Sequence, residues 1–465
     1  VRYWQGYLST SSAEVAEAIA AAQRLAHNDL LFYVQSSFKG YQTAECHRRI
    51  CSELMEFERA VRNKESPRLI IELPPRAGKS LICAERFTTW VLGRDPAARV
   101  ITTSYGYDLA ATFTTHSRDL YKSDFHKGVF PQSAISQSIA KNNDWETIKG
   151  GGMLGAGVGG PITGKGAQYL IIDDPVKNWE EALSKKNRDS TWDWFATTAY
   201  TRLAPGGGVL IIMTRWHPDD LGGRAIASGD YRVVKYPAIT ESGESYDPVR
   251  WPIEELEKTK KTIGTTKFSC LYQQDPSSAE GQIFKRKFFR HHLENPTKLK
   301  RMCISVDAAF KDASTSDKVA IHAWGEVNRS YYLYTRDTRR MGFAESVSAI
   351  KKMYAEFSGL NPTILIEEKA NGSAIIETLK STFSRIIAIN PEGGKVARAF
   401  ACDTLFEAGR VSFNAASPWI EEFENTLADF PAVENDDDVD AMTQALNYLE
   451  FNGNIPSVQY GHLNY

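Results

Sequence analysis

The apolar positions of this chain fall into two patterns: stretches of helical period and short unbroken runs. Val15, Ile19, Ala22 and Leu25 recur at helical intervals across 12–29, and Ile50, Leu54 and Phe57 do so across 43–62. Unbroken runs follow at 68–73, 99–103, 169–172 and 208–213, separated by helical or glycine-rich material. Alternation of strand and helix on this scale predicts a parallel α/β sheet.

Residues 231–300 lose the pattern. Pro237, Pro248, Pro252, Pro276 and Pro296, with many charges between them, predict a linker region holding one short helix at 252–263. A second α/β block begins near Arg301, with strands at 302–307, 318–325, 331–335 and 363–367 and helices near 343–358 and 437–451. The expected organisation is therefore 1–230, a linker 231–300, a second domain 301–452 and a polar tail 453–465. No internal repeat is visible.

Composition adds exclusions. A chain of 465 residues is too long for one ordinary domain. Its 42% apolar and 24% charged content is globular. No apolar run reaches the roughly 18 residues of a membrane span, and the first residues show no signal-peptide pattern. Six cysteines (Cys46, Cys51, Cys83, Cys270, Cys303 and Cys402) lack CxxC spacing, which argues against zinc and for a reducing compartment. The net charge of −2 leaves any nucleic-acid contact to local patches.

The runs end in chemistry. Glu72-Leu-Pro-Pro-Arg-Ala-Gly-Lys-Ser80 follows a strand-like run and precedes a helix-like one, the setting of a phosphate-binding loop. Amides at a helix start face phosphate, Lys79 is placed to reach the β- and γ-phosphates, and Ser80 to hold Mg²⁺. The first glycine of the usual pattern is absent, since Leu73 stands there. Tyr169-Leu-Ile-Ile-Asp-Asp-Pro175 is a second run, ending in two carboxylates: Asp173 for Mg²⁺, Asp174 for orienting or deprotonating water. Glu180 and Glu181 are rivals for the second role. A third run, 209–213, ends in Thr214 and Arg215, beside the expected γ-phosphate. The glycine-rich stretch 150–160 predicts a flexible or close-packed loop rather than a core element.

The second block repeats the device. Asp307 ends one strand, Asp317 opens the next, and Glu367-Glu368 end a third. Asp436-Asp-Asp-Val-Asp440 opens a helix, with Asp437 and Asp440 on one face. Taken singly, each acid has an ordinary explanation as an N-cap or a solvated charge. Together they form a repulsive oxygen-only cluster, which calls for Mg²⁺ or Mn²⁺ and suits phosphodiester cleavage.

With these residues in view, the chain resembles the large terminase subunit of tailed bacteriophages. The likeness rests on Pro74-Pro-Arg-Ala-Gly-Lys-Ser80, Ser104-Tyr105 with Leu109-Ala110, and Gly157-Val-Gly-Gly with Thr163-Gly164. It continues through Ile172-Asp-Asp-Pro175, Thr214-Arg-Trp-His-Pro-Asp-Asp-Leu221, Tyr272-Gln-Gln274 and Glu367-Glu-Lys-Ala-Asn-Gly372, and the Asp-rich helix start completes it. The Pro-Pro-Arg form of the loop is itself a habit of that family.

The resemblance implies an N-terminal P-loop ATPase domain of RecA-like (ASCE) strand order and a C-terminal RNase H-like nuclease domain. It implies nucleotide contacts from Arg76, Ala77, Gly78, Lys79, Ser80, Asp173 and Thr214, with Arg76 at the γ-phosphate. It also implies a trans arginine finger (Arg118 or Arg202) and an adenine-reading segment at Tyr41-Gln42. Metal ligands at the nuclease site are Asp307, Glu367, Asp437 and Asp440, with Glu368 and Asp436 as open alternatives. The implied function is ATP-driven movement of double-stranded DNA into a prohead, with cutting of concatemers by a metal-dependent endonuclease. Implied partners are the portal and prohead, a small terminase subunit, and further copies of the chain. Those copies form a ring, a pentamer, on the prohead, from a monomer in solution. The expected location is the host cytoplasm, with no membrane contact. The alternative class is a helicase–nuclease fusion of DNA repair or recombination. It calls for additional strand-separating motifs, and none is found in the sequence. A near-zero net charge suits a motor along which DNA slides.

Overall fold

The computed structural model describes residues 12–451 apart from 163, 280–282, 309–317, 369–370, 392–393, 432 and 434. The expected tail, and the expectations placed on Thr163, Asp317, Lys369 and Ala370, lie outside the described residues. The chain divides into two compact units, 1–280 and 281–465.

The first unit is built on eight strands: β1 (Arg68–Glu72), β2 (Arg99–Ser104), β3 (Ile135–Ala140), β4 (Asp144–Thr147), β5 (Gly152–Gly157), β6 (Ala167–Asp173), β7 (Leu203–Met213) and β8 (Arg232–Lys235). Their order is β3-β4-β5-β2-β6-β7-β1-β8. The run from β5 to β8 is parallel, whereas β3 and β4 are antiparallel additions. The central strands are unbroken apolar runs because both faces are covered. Leu69, Ile71, Tyr169, Ile171, Leu210 and Ile212 pack with Ile50, Leu54 and Phe57 of the helix Glu45–Arg62. Ile70, Leu170, Ile172, Val209 and Ile211 pack on the other side with Trp194, Phe195 and Leu221.

Two segments differ from expectation in kind. Gly152–Gly157, within the stretch expected as a loop, is β5, a mostly buried strand beside β2. The reason is helix packing: a Cβ at Gly155 would stand 2.9 Å from Ala110 O, and one at Gly157 2.9 Å from Tyr107 N. Both contacts come from the helix Tyr107–Lys122, so only glycine lets that helix lie on the strand. Part of the stretch expected as a linker belongs to the first unit. It supplies β8 and the helices Ile253–Ile263 and Thr265–Leu271.

The second unit holds β9 (Arg290–His292), β10 (Arg301–Asp307), β11 (Lys318–Val327), β12 (Ser330–Arg340), β13 (Thr363–Glu367), β14 (Ile386–Ile389) and β15 (Val411–Asn414). The order is β14-β13-β10-β11-β12-β15-β9. β10, β11 and β12 form an antiparallel meander, while β13 and β14 add in parallel beside β10. Ile304, Val306, Val319 and Ile321 pack against Val347, Ile350 and Met353 of the helix Phe343–Glu356 and Ile375 and Leu379 of the helix Asn371–Lys380. The helix Asp437–Phe451 takes the opposite face, where Gln444 Nε2 donates to Ser305 Oγ at 2.9 Å. No helix among the described residues is long and apolar enough to cross a membrane. All six cysteines are free and buried.

Candidate ATPase and nuclease sites

In the first unit, β7 lies between β1 and β6, so three strand ends meet at one sheet edge. Glu72 stands opposite Met213, and Asp173 opposite Ile212. The phosphate-loop candidate therefore begins beside Thr214 and Arg215, one strand from Asp173 and Asp174. Gly78 holds φ +77°, a conformation that favours glycine, and Arg76 and Asp174 hold φ +57° and +44° despite their side chains.

The side chains converge there. Lys79 Nζ lies 2.8 Å from Asp174 Oδ2 and donates to Thr214 Oγ1 at 3.0 Å. Thr214 closes the loop, its amide donating to Asp174 Oδ1 at 3.1 Å and its hydroxyl to Leu73 O at 3.3 Å. Asp173 is fully buried, and neither carboxylate oxygen has a hydrogen-bond partner of good geometry among the described residues. Burial, then the neighbouring Asp174 charge, pushes its carboxyl up, against the pull of Lys79 and the nearby Ser80 hydroxyl. An orphaned buried carboxylate beside a serine and a lysine fits a Mg²⁺–phosphate group, which supplies the missing positive charge and oxygen contacts.

Behind this edge, Arg215 is a clamp. It is buried, with NH1 2.7 Å from Glu72 Oε1 and Nε 3.1 Å from Asp220 Oδ1. Asp220 also caps the helix Leu221–Ala227 by accepting from Gly223 N. The ends of β1 and β7 are thus tied by charge as well as by the sheet.

In the second unit, Asp307 and Glu367 end the parallel neighbours β10 and β13. The register Ser305↔Leu365 and Val306↔Ile366 leads directly to that pair. Period-two alternation puts Glu367 on the face that carries Asp307 and Ser305, and Glu368 on the opposite face. Asp307 is 7% exposed, and its carboxyl is pushed up to about 8 by burial, then by the charges of Asp440, Asp437 and Glu367. Among the described residues no three His, Cys, Asp or Glu side chains form a closed metal cage. Two cations reach into the acidic helix start. Lys395 Nζ is 2.5 Å from Asp436 Oδ1 and 2.7 Å from Asp440 Oδ2, and Arg398 NH2 is 2.7 Å from Asp440 Oδ1. The cluster is repulsive at Asp307 and already partly neutralised at Asp440. Hard oxygen donors with an unneutralised buried member fit a divalent cation.

Two family models match the chain: "Terminase large subunit, T4likevirus-type, N-terminal" over residues 70–290, and "Terminase RNaseH-like domain" over 304–449. The chain belongs to the terminase large-subunit family. It is a viral DNA-packaging motor, with an ATPase domain and an RNase H-like nuclease domain. Similar solved structures include the large terminase of a thermophilic bacteriophage in complex with ADP, at 13% identity over 86% of this chain and 96% of that one, TM-score 0.45. The large terminase of bacteriophage HK97 is 11% identical over 85% and 94%, TM-score 0.34. The large terminase nuclease of thermophilic phage G20c, solved with bound magnesium, is 12% identical over 36% and 97%, TM-score 0.28. No match was found among curated proteins.

The other residues singled out in this terminase sequence fall in various places. Glu181 is engaged at the start of its helix, with Oε2 accepting from Lys177 N at 3.2 Å, and Glu180 is exposed. Arg118 donates to Asn142 Oδ1 at 3.1 Å and pairs with Asp119 at 3.2 Å. Arg202 Nε is buried without a partner among the described residues. Tyr41 packs at 5.5 Å from the His47 ring, and Gln42 is exposed.

Several residues of the terminase sites were missed in the sequence. His47 is one: buried, with Nδ1 accepting from Ala44 N at 3.0 Å and Nε2 3.1 Å from Ala77 O of the phosphate loop. Lys395 and Arg398 are others. Asp438, inside the acidic run, turns away from the cluster and accepts from His322 Nε2 at 2.9 Å and Arg336 NH1 at 2.8 Å, which fixes the helix start against β11 and β12. Apart from the contact of His47 with Ala44, no local spacing marks these partners, because the pairs are joined only by the fold.

Proposed function

We propose that this terminase hydrolyses ATP at the edge formed by β1, β6 and β7. The observation that carries the reading is the buried, unpartnered Asp173 carboxylate beside Ser80 and Lys79. The phosphate-loop amides, Arg76, Ala77, Gly78 and Lys79, bind the triphosphate, and Ser80 and Asp173 hold Mg²⁺. Mg²⁺ supplies charge neutralisation of the phosphate oxygens. Lys79 exchanges Asp174 and Thr214 for phosphate. Asp174, relieved of that cation, accepts a proton from the attacking water. Thr214 remains beside the γ-phosphate position and registers its loss. An arginine from a neighbouring copy, Arg118 or Arg202, completes the charge, and Tyr41-Gln42 lies toward the adenine.

In the second unit, Asp307, Glu367, Asp437 and Asp440 hold Mg²⁺ or Mn²⁺ for phosphodiester cleavage. Bound there, the ions would supply activation of water and charge for the leaving oxygen. Asp307 and Glu367 are held rigidly by β10 and β13. Lys395 and Arg398 balance Asp440, and Asp438 fixes the direction of the helix that bears Asp437 and Asp440. The working assembly is a homo-oligomeric ring, a pentamer, docked on the portal of a prohead in the host cytoplasm. It receives double-stranded DNA with help from a small terminase subunit. The test of the ATPase site is hydrolysis of ATP by the purified chain with and without Mg²⁺, beside Asp173→Asn. Metal-dependent turnover lost in the variant supports the reading, and turnover that survives Asp173→Asn refutes it.

A further inference from the structure

Of three consecutive residues, two close the segment that follows β8 on itself and the third ties it to the ATPase edge. Tyr272 O accepts from Ala238 N at 2.7 Å. The Gln273 side-chain amide bonds Ile239 twice, Oε1 accepting from its amide and Nε2 donating to its carbonyl, both at 2.9 Å. Gln274 Oε1 accepts from Arg215 N at 3.0 Å, and its Nε2 donates to Leu271 O at 2.6 Å. Gln274 is buried, with φ +55°.

The same arrangement occurs one residue earlier on β7's exit. Thr214 N is held by Asp174, whose φ is +44°. Two successive amides are therefore each captured by a side chain whose own backbone sits in the left-handed region, which is strained for a non-glycine residue. One captor touches Lys79. The other ends the helical segment Ile253–Leu271.

We propose that Gln274 is a positioning residue that couples the nucleotide state at Thr214 to the helices Ile253–Ile263 and Thr265–Leu271. The proposal rests on the ATPase reading of the edge. The physics is local. Thr214 carries the amide held from the nucleotide side, and the peptide that follows it carries the Arg215 amide held from the helical side. The Arg215 guanidinium is clamped by Glu72 and Asp220, so the strand end does not yield in that direction. A change in the Lys79–Asp174–Thr214 contacts tilts this peptide and reaches Gln274 through a single hydrogen bond. The stretch just before these helices also reaches the phosphate loop, indirectly, through His47. Arg250 NH2 lies 2.9 Å from His47 Nε2, which is 3.1 Å from Ala77 O. The exit of β7 and the phosphate loop thus both bear on the stretch between β8 and Gln274.

The test separates coupling from architecture. Gln274→Leu keeps the bulk and removes the acceptor, whereas Gln274→Glu keeps an acceptor. With the full chain, proheads, linear DNA and ATP, Gln274→Leu should lower DNA packaged per ATP hydrolysed by about five-fold or more. Its kcat and KM for ATP without DNA should stay near wild type, and Gln274→Glu should recover most of the yield. Unchanged yield per ATP in Gln274→Leu overturns the proposal. So does an ATPase loss that matches the packaging loss, because a purely structural role gives that result. Hydrogen exchange on the unaltered chain is a second measurement, independent of how the variants fold. On adding ADP, and separately a non-hydrolysable ATP analogue, amides of 213–216 and 265–275 should change protection together. A change confined to 213–216 overturns the coupling. An unaltered chain that hydrolyses no ATP overturns the ATPase reading, and the wild-type control identifies that case.

Discussion

Lys79 Nζ stands 2.8 Å from Asp174 Oδ2, so the phosphate-facing cation and the carboxylate proposed to activate water share one contact. A carboxylate oxygen that accepts from a lysine is not free to accept from water. The γ-phosphate is a stronger partner for that lysine, because it carries more charge. Substrate binding and activation of Asp174 are then the same event. Thr214 takes part because it bonds both members.

That relationship makes Lys79 and Asp174 separable by kinetics. Lys79→Ala should abolish steady-state ATP hydrolysis, by about 100-fold or more, while metal-dependent DNA cleavage persists. Asp174→Asn should leave nucleotide binding measurable and lower kcat by about 100-fold or more. Glu181→Gln, whose carboxylate serves the turn at Lys177, should keep most turnover. Retained hydrolysis in Lys79→Ala contradicts the site. A larger loss in Glu181→Gln than in Asp174→Asn moves the base to Glu181.

The nuclease prediction is the mirror of this one. Asp307→Ala should stop plasmid cleavage with Mg²⁺ or Mn²⁺ and spare ATP hydrolysis. Asp307 ends β10 in register with Glu367 and lies in the field of Asp437 and Asp440. Cleavage at wild-type rate by Asp307→Ala removes it from the site.

Arg215 gives a stability prediction. Arg215→Ala leaves Glu72 and Asp220 buried, at 2% and 1% exposure, without their cation. Breaking a buried pair from one side costs about 3–5 kcal/mol. The urea midpoint of the first unit should fall accordingly, while the second unit's transition stays in place. A change below about 1 kcal/mol, the range of an exposed pair, contradicts the clamp.

What the sequence showed, and what it hid, follows from distance along the chain. Asp173, Asp307 and Glu367 were visible because each closes an apolar run, and a buried strand that ends in an acid marks the sheet edge. Asp437 and Asp440 were visible by helical spacing. Lys395, Arg398 and His47 were hidden, since Asp440 and Ala77, the groups they meet at the two sites, lie far away in sequence. Gln274 was noted only as part of a resemblance, and its bond to Arg215 spans the whole of β8 and three helices. Gly152–Gly157 was misjudged because glycine in a turn and glycine under a packed helix look alike in sequence. The short strands β3, β4 and β9 carried no periodic signal.

The compact division at 280/281 supports a further prediction, that the nuclease unit is separable. A fragment starting near residue 281 should fold alone and cut DNA without ATP, and EDTA should abolish cleavage. EDTA matters because Asp307, Glu367, Asp437 and Asp440 repel one another and meet a phosphodiester only through cations. A soluble, folded fragment that binds no divalent metal defeats the nuclease reading.

The central claim is that ATP hydrolysis at the β1–β6–β7 edge drives DNA into a prohead. The direct measurement is DNA protected from added nuclease after incubation of the purified chain with proheads, linear DNA and ATP. The expected result is protection that requires ATP, is lost in Lys79→Ala and survives in Asp307→Ala, because linear DNA needs no initiating cut. Protection without ATP, or undiminished in Lys79→Ala, would contradict it.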